Sequence, residues 1–349
     1  MMYQFKTRYF VLISVILILS MIAGCAAAGA RGPEPQKDDQ STTVSASAVH
    51  SGDSAKKLRI VTTIFPEYDW VRQIAGDNMD NIELTMLLDN GVDLHSYQPT
   101  VDDIVKISSC DMFIYVGGES DEWVEDALGE AVNKNMAVIN LLDVLGDAVK
   151  EEEVVEGMQA DEDEEREEEE VEYDEHVWLS LRNAAILCQE ISDRLGEIDP
   201  ANKDTYSANA AAYIGKLNDL DAQYAATVSA APIKTVLFGD RFPFRYLIDD
   251  YDLSYYAAFV GCSAETEASF ETVVFLANKV NELGLNTVLT IESADGKIAQ
   301  TIIDNTSAKS AKILKMDSMQ STTSQDVNNG ETYFGAMEGN LEVLKQALQ

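Results

Sequence analysis

The sequence predicts an α/β protein with two similar lobes, each built on a mostly parallel sheet and joined by one long backbone helix. Three observations predict it. Short β-branched and apolar runs alternate with amphipathic helical stretches over residues 58–198, which is the grammar of a parallel sheet. The same alternation returns over residues 231–349. Between the two lies a helical pattern opening at Asp199-Pro200 and reaching about Ser229, with Tyr213, Leu217, Leu220 and Tyr224 as its apolar stripe. Its alanine-rich stretch at 208–212 raises helix propensity. A helix of that length spans roughly 43 Å at 1.5 Å per residue, enough to brace both lobes.

The first 24 residues read as a signal peptide. Lys6 and Arg8 precede an apolar run over 10–22 that is too short for a comfortable membrane span. The run ends in Ile22-Ala23-Gly24-Cys25, which resembles a bacterial lipobox and predicts a lipid on Cys25. The chain is then anchored to the outer face of a bacterial cell membrane, extracytoplasmic, each buried acyl methylene contributing about 0.8 kcal/mol. Residues 25–57 are rich in Ala, Gly, Ser, Thr, Pro and Asp and read as a tether. No other stretch is long and apolar enough to span. Roughly 290 residues remain, sufficient for two lobes.

The ordered part opens with a buried strand at 58–65 that Pro66 ends, followed by a helix over 68–74. Strands then fall at 82–88, 112–116 and 137–141, with helices from Val101 and Glu122 between them. Thr100 with Asp103 makes a capping-box pattern for the helix from Val101. Residues 150–175 hold sixteen acidic side chains and read as a mobile, solvated insertion, or as a weak collector of divalent cations. A helix follows at 181–195, then the long helix. The second lobe reads as strands at 235–238, 255–259, 287–291 and 312–316. Its helices fall at 242–250, 270–283, 297–306 and 333–348. Asp240, Glu265, Glu292 and Asp317 lie at or near the strand ends, where open α/β sheets bind ligands.

Charge and composition exclude some functions. A formal net charge of −36 argues against nucleic acid and against anionic surfaces as partners. Cys110, Cys188 and Cys262 are spaced too widely for a zinc knuckle and form at most one bridge. Cys110 and Cys188 sit in apolar runs and read as small buried hydrophobes. Of the three histidines, His50 falls in the tether. His95 follows a strand, in Asp93-Leu94-His95-Ser96-Tyr97-Gln98-Pro99-Thr100. His176 lies in Tyr173-Asp174-Glu175-His176-Val177-Trp178-Leu179-Ser180. Two histidines in loops, with carboxylates near, are a donor set for zinc and, less strongly, manganese.

These motifs together resemble the metal-binding receptor lipoproteins of bacterial zinc and manganese ABC importers, the group with a rigid linking helix. The likeness runs from about residue 58 to the end. His95-Ser96-Tyr97-Gln98-Pro99-Thr100 is similar to that family's first ligand motif and Glu175-His176-Val177-Trp178-Leu179-Ser180 to its second. Asp199-Pro200-Ala201-Asn202 resembles the start of its linking helix, and Met316-Asp317 its last, acidic ligand position. The resemblance implies His95, His176 and Asp317 as metal ligands in a cleft between the lobes. It implies Zn2+ as cargo, with Mn2+ second, an ABC permease as partner, and a monomer. The third ligand position, three residues before Phe244, holds Arg241, which stays protonated and offers no lone pair. Asp240 or Glu265 is the expected replacement, and Cys262 a further donor for a soft ion. Arg241 is expected to modulate the cleft by pairing with Asp240, Glu265 or Asp317.

The function this implies is an extracytoplasmic metal receptor, not an enzyme. Two other classes are weighed against it. A secreted metallohydrolase could use the same histidine pair, but no HExxH, GxSxG or paired acid–base motif is present. A metal-free surface lipoprotein acting in cell adhesion would bind neither zinc nor manganese.

Overall fold

The computed structural model describes residues 57–159, 172–263 and 267–349. Cys25, the tether, the centre of the acidic insertion and Glu265 lie outside the described residues. The first lobe comprises β1 (Leu58–Thr62), α1 (Phe65–Ala75), β2 (Ile82–Met86), α2 (Val101–Ser109), β3 (Met112–Tyr115), α3 (Trp123–Gly129), β4 (Ala137–Asn140) and α4 (Leu141–Leu145). Its sheet is parallel, ordered β2-β1-β3-β4. α5 (Leu181–Ile198) and α6 (Lys203–Ala230) follow. The second lobe comprises β5 (Thr235–Phe242), α7 (Arg245–Asp250), β6 (Ser254–Val260), α8 (Phe270–Leu283), β7 (Thr287–Ile291), α9 (Lys297–Asp304), β8 (Lys312–Met316), α10 (Ser324–Asn328) and α11 (Tyr333–Ala347). Its sheet is again parallel, ordered β6-β5-β7-β8. The two sheets therefore share one connectivity, as expected of two similar α/β lobes.

The long helix runs 28 residues, about 42 Å at 1.5 Å per residue. Its buried residues are Tyr206, Ala210, Tyr213, Leu217, Leu220, Tyr224 and Val228, a stripe at helical spacing that includes the four apolar residues expected. Near its start, Asn209 Nδ2 donates to the Ile74 carbonyl of α1 at 3.0 Å. Near its end, Tyr224 Oη donates to the Met337 carbonyl of α11 at 2.6 Å. One rigid rod thus grips an element that precedes the first sheet's second strand and another that closes the chain. Leu217 is fully buried in this seam, and truncating such a leucine to alanine costs about 2–5 kcal/mol.

Local chemistry sets the element ends. The first helix starts earlier than the sequence reading has it, with Pro66 inside the first turn rather than ahead of the helix. Proline is suited there because the first turn's N–H groups have no intrahelical partner. Glu67 reaches back so that its Oε2 accepts the N–H groups of Thr63 at 2.8 Å and Ile64 at 3.3 Å. The capping box of α2 forms as expected: Asp103 N–H donates to Thr100 Oγ1 at 3.2 Å and Thr100 N–H to Asp103 Oδ2 at 3.0 Å. β5 continues beyond the expected strand at 235–238 as far as Phe242, through an irregularity between Phe238 and Arg241. Asp240 explains the extension, because its oxygens accept the N–H groups of Arg241 at 2.9 Å and Ile291 at 3.2 Å.

The acidic insertion differs from the solvated loop expected at its two ends. Glu151 bridges Tyr173 in antiparallel fashion, and Asp174 N–H donates to the Lys150 carbonyl at 2.9 Å. Its first arm then crosses to the edge strand of the second sheet, where Gln159 N–H donates to the Ala258 carbonyl at 2.9 Å. Apolar anchors explain this: Met158 is buried. Gly157, at φ +83°, lies so close to Phe275 that a Cβ there would clash. Among the described residues no helix is long and apolar enough to cross a membrane.

Candidate metal centre

His95 stands on a short 3-10 turn, Leu94–Ser96, in the long loop between β2 and α2. Asp93 caps that turn, its Oδ1 accepting the His95 N–H at 3.1 Å. His176 immediately precedes another short turn, Val177–Leu179, which leads into α5. The adjacent Trp178 is completely buried and donates its ring N–H to the Ser318 carbonyl at 2.9 Å. Two loops far apart in sequence thus converge, and the Nε2 atoms of His95 and His176 lie 3.2 Å apart.

The ring nitrogens on the far sides are held by other groups. His176 Nδ1 donates to Asp174 Oδ1 at 3.0 Å, and the same oxygen accepts the His176 N–H at 2.9 Å. His95 Nδ1 lies 2.8 Å from Ser120 Oγ and 3.4 Å from Glu175 Oε2. A carboxylate on Nδ1 fixes the tautomer whose Nε2 lone pair is free for a metal. Glu175 is itself set by a backbone bond, its Oε1 accepting the Ser120 N–H at 2.8 Å. Gly118, at φ +82°, makes room for it: a Cβ there would sit 2.4 Å from Glu175 Oε1.

Electrostatics follow from burial and this cage. His176 is completely buried. Burial alone would lower its pKa, but Asp174, then Glu175 and Asp93, outweigh that and raise it above the ordinary imidazole value. Burial and the neighbouring His176 push His95 down to about 3. The pair therefore holds a first proton on His176 and resists a second. Burial holds Glu175 up at about 7.

Arg241 reaches into the same region from the bulged end of β5. Among the described residues it pairs with Asp93, not with Asp240 or Asp317, two of the partners expected from sequence; Glu265, the third, lies outside the described residues. The reason is positional: Asp240 is occupied by backbone N–H groups, whereas Asp93 Oδ2 faces across from the His95 loop. Burial raises the Asp93 pKa, but Arg241 and then His95 outweigh it and hold the carboxyl low.

Among the described residues, His95, His176 and Cys262 form a group whose donor atoms all lie within 4.8 Å of one another. Asp240 and Asp317 are not members of it. Asp317 follows β8; its N–H donates to Asn340 Oδ1 at 2.7 Å and its Oδ1 accepts the Met319 N–H at 2.8 Å. Burial, then the nearby Glu292, pushes Asp317 up to about 7. Cys262 sits in the turn after β6, and burial lifts its thiol well above the ordinary range. Sequence reasoning did not single out Asp174, Ser120 or Glu175 as positioning groups. A signal existed for Asp174 and Glu175, which stand two and one residues before His176.

The family described as "ZnuA: Zinc-uptake complex component A periplasmic" matches residues 60–347. The zinc-binding lipoprotein AdcA of Streptococcus pneumoniae is 34% identical over 291 residues, covering 83% of this chain and 56% of that protein. This chain thus spans little more than half the length of that relative. The high-affinity zinc uptake system protein ZnuA of Bacillus subtilis is 29% identical over 305 residues, covering 86% of this chain and 90% of that protein. In structure, the Zn(II)-bound ZnuA-like domain of Streptococcus pneumoniae AdcA superposes with a TM-score of 0.65 at 31% identity. That match covers 84% of this chain and 99% of the domain.

Proposed function

Because this chain belongs to the zinc-uptake complex component A family, we propose that it captures a divalent transition metal outside the cytoplasm and delivers it to the permease of an ABC importer. Zinc is favoured over manganese as the cargo. The chain acts as a receptor rather than an enzyme. It works as a monomer, secreted by residues 1–24 and tethered through a lipid on Cys25. Residues 58–198 and 231–349 serve as the two lobes, joined by the linking helix at 199–230.

One observation carries this reading: two imidazole Nε2 atoms 3.2 Å apart, each ring held from behind by its Nδ1. Two nitrogens at ~2.0–2.1 Å from one tetrahedral zinc are about 3.3 Å apart, so the pair is already spaced as ligands to a single ion. His95 and His176 are the proposed imidazole ligands. Asp317 is the proposed carboxylate from the second lobe. Its place beside Glu292, which together with burial raises its pKa, supports this, since a dication would relieve the repulsion between the two carboxyls. Arg241, locked to Asp93, is proposed to set the charge beside the ions' path and ease release. Asp240 is not assigned a ligand role, because both of its oxygens already serve the backbone. Glu265 remains a proposed donor from the loop beyond Ser263.

Calorimetry on the purified chain with zinc and with manganese tests the proposal. Binding of zinc at one tight site, abolished in a His95→Ala/His176→Ala double variant, is the expected result. A chain that binds neither metal would overturn it. Turnover in a zinc-supplemented hydrolase screen that disappears in His176→Ala would establish the enzyme instead.

A further inference from the structure

We infer that Cys262 donates its sulfur to the same ion, making the centre a two-histidine, one-cysteine set selective for thiophilic dications over manganese; this rests on the receptor reading above. Cys262 belongs to the described group of donors lying within 4.8 Å of one another, with both imidazoles. It arrives there from the other lobe, on the turn that ends β6 (Ser254–Val260). The turn is built to lie against the histidine. A Cβ on Gly261 would stand 2.9 Å from His176 Cε1 and 3.0 Å from the Phe242 carbonyl oxygen, so a residue without a side chain brings the turn onto the ring. Glu152 Oε1 accepts the Cys262 N–H at 3.2 Å and pins the backbone from outside.

Two neighbouring second-lobe groups are engaged elsewhere. Arg241 offers no lone pair and is engaged by Asp93. Asp240 serves two backbone N–H groups. Among the described second-lobe residues, Cys262 is the one whose donor atom is grouped with both imidazoles, and Asp317 is not a member of that group. On binding, the thiol S–H bond breaks, the proton leaves to solvent, and a sulfur–metal bond forms with no change of oxidation state. Thiolate is a soft ligand that suits zinc and cadmium, whereas manganese prefers oxygen. A centre containing it discriminates against manganese more sharply than two imidazoles and carboxylates would.

The test uses the full chain, its Cys262→Ser and Cys262→Ala variants, and His176→Ala, each loaded with cobalt(II) and titrated separately with zinc and manganese against a chelator. The wild-type cobalt complex should show a sulfur-to-cobalt charge-transfer band that both Cys262 variants lack. Zinc affinity should fall by roughly tenfold or more in those variants, while manganese affinity changes less, so the selectivity ratio narrows. Cysteines elsewhere are present in every variant, so a band that survives in Cys262→Ser would overturn the inference. So would a Cys262→Ser protein that binds zinc as tightly as wild type. If that happens while His176→Ala loses zinc, the receptor reading stands and only the sulfur ligand falls. A wild-type chain that binds no metal removes both.

Discussion

The two sheets have the same strand order, yet their loops carry different chemistry. In the first lobe the loop after β2 (Ile82–Met86) presents His95, and the segment leading to α5 (Leu181–Ile198) presents His176. In the second, the equivalent turn after β6 (Ser254–Val260) presents Cys262, and the ends of β5 (Thr235–Phe242), β7 (Thr287–Ile291) and β8 (Lys312–Met316) present Arg241, Glu292 and Asp317. The imidazoles are braced by side chains and lie with Nε2 atoms 3.2 Å apart. The carboxylates are braced mainly by backbone N–H groups and hydroxyls, as when Glu292 takes the Ser318 N–H at 2.8 Å and the Ser321 hydroxyl at 2.9 Å. One backbone plan thus serves two tasks. On the proposed reading the first lobe holds a preformed half-site, and the second-lobe carboxylates hold hydrogen bonds that engagement with an ion would exchange.

If the first lobe is the preformed half, damage there should cost most. His176→Ala should weaken zinc binding by roughly a hundredfold or more, above the range for removing a group behind a ligand; competition with a chromophoric chelator measures it. Asp174→Ala leaves both Nε2 atoms present but frees the His176 ring, and should cost about 10–100-fold in the same assay. Asp317→Asn in the second lobe should cost less, about tenfold, because its carboxylate is not among the donors already gathered with the imidazoles. Asp240→Asn should leave zinc affinity within about twofold but lower the melting temperature. It weakens two half-buried acceptor bonds, each worth about 1.5–3 kcal/mol when charged. If Asp317→Asn proved costlier than His176→Ala, the ranking of the two lobes would be reversed.

Acid should act through the first lobe as well. In the metal-free protein the neighbouring carboxylates raise the His176 pKa above its ordinary value of 6.5. A proton on that ring competes with zinc. Affinity should therefore be greatest above the raised pKa and fall as pH drops through it, beginning above pH 6.5. The metal-free fold has the opposite linkage. A raised histidine pKa contributes stability that is present below the unfolded value and lost as pH rises through the folded value. Titration of zinc affinity against pH in wild type and Asp174→Asn checks the sign, since the variant should move the fall to lower pH.

Much of this was legible in the sequence because it depends on local pattern. The alternation of strands and helices, the Thr100–Asp103 cap and the stripe from Tyr213 to Tyr224 are each encoded within a few turns of chain. His95 and His176 stood out because they sit in loops beside capped helices and not on apolar faces. What local pattern does not carry is which distant groups meet. Arg241 pairs with Asp93 across 148 positions, in the other lobe from Asp240, Glu265 and Asp317, the cleft carboxylates expected to meet it. The extension of β5 depends on Asp240 reaching Ile291, 51 positions away. The arms of the acidic insertion looked solvated because their charge hides two anchors, Met158 and Gly157, that matter only against Phe275 and β6. Cys262 gave one faint local signal, the glycine before it, whose meaning lies in its contact with His176.

The central claim is that the first lobe's two imidazoles hold one transported ion between them. A crystal of the zinc-loaded chain, with anomalous differences collected on both sides of the zinc edge, tests it most directly. The account predicts a single strong peak ~2.0–2.1 Å from Nε2 of both His95 and His176, with Nδ1 of each ring still facing Ser120 and Asp174. A peak between Glu292 and Asp317 alone, with the imidazole pair still 3.2 Å apart and no zinc on it, would contradict it.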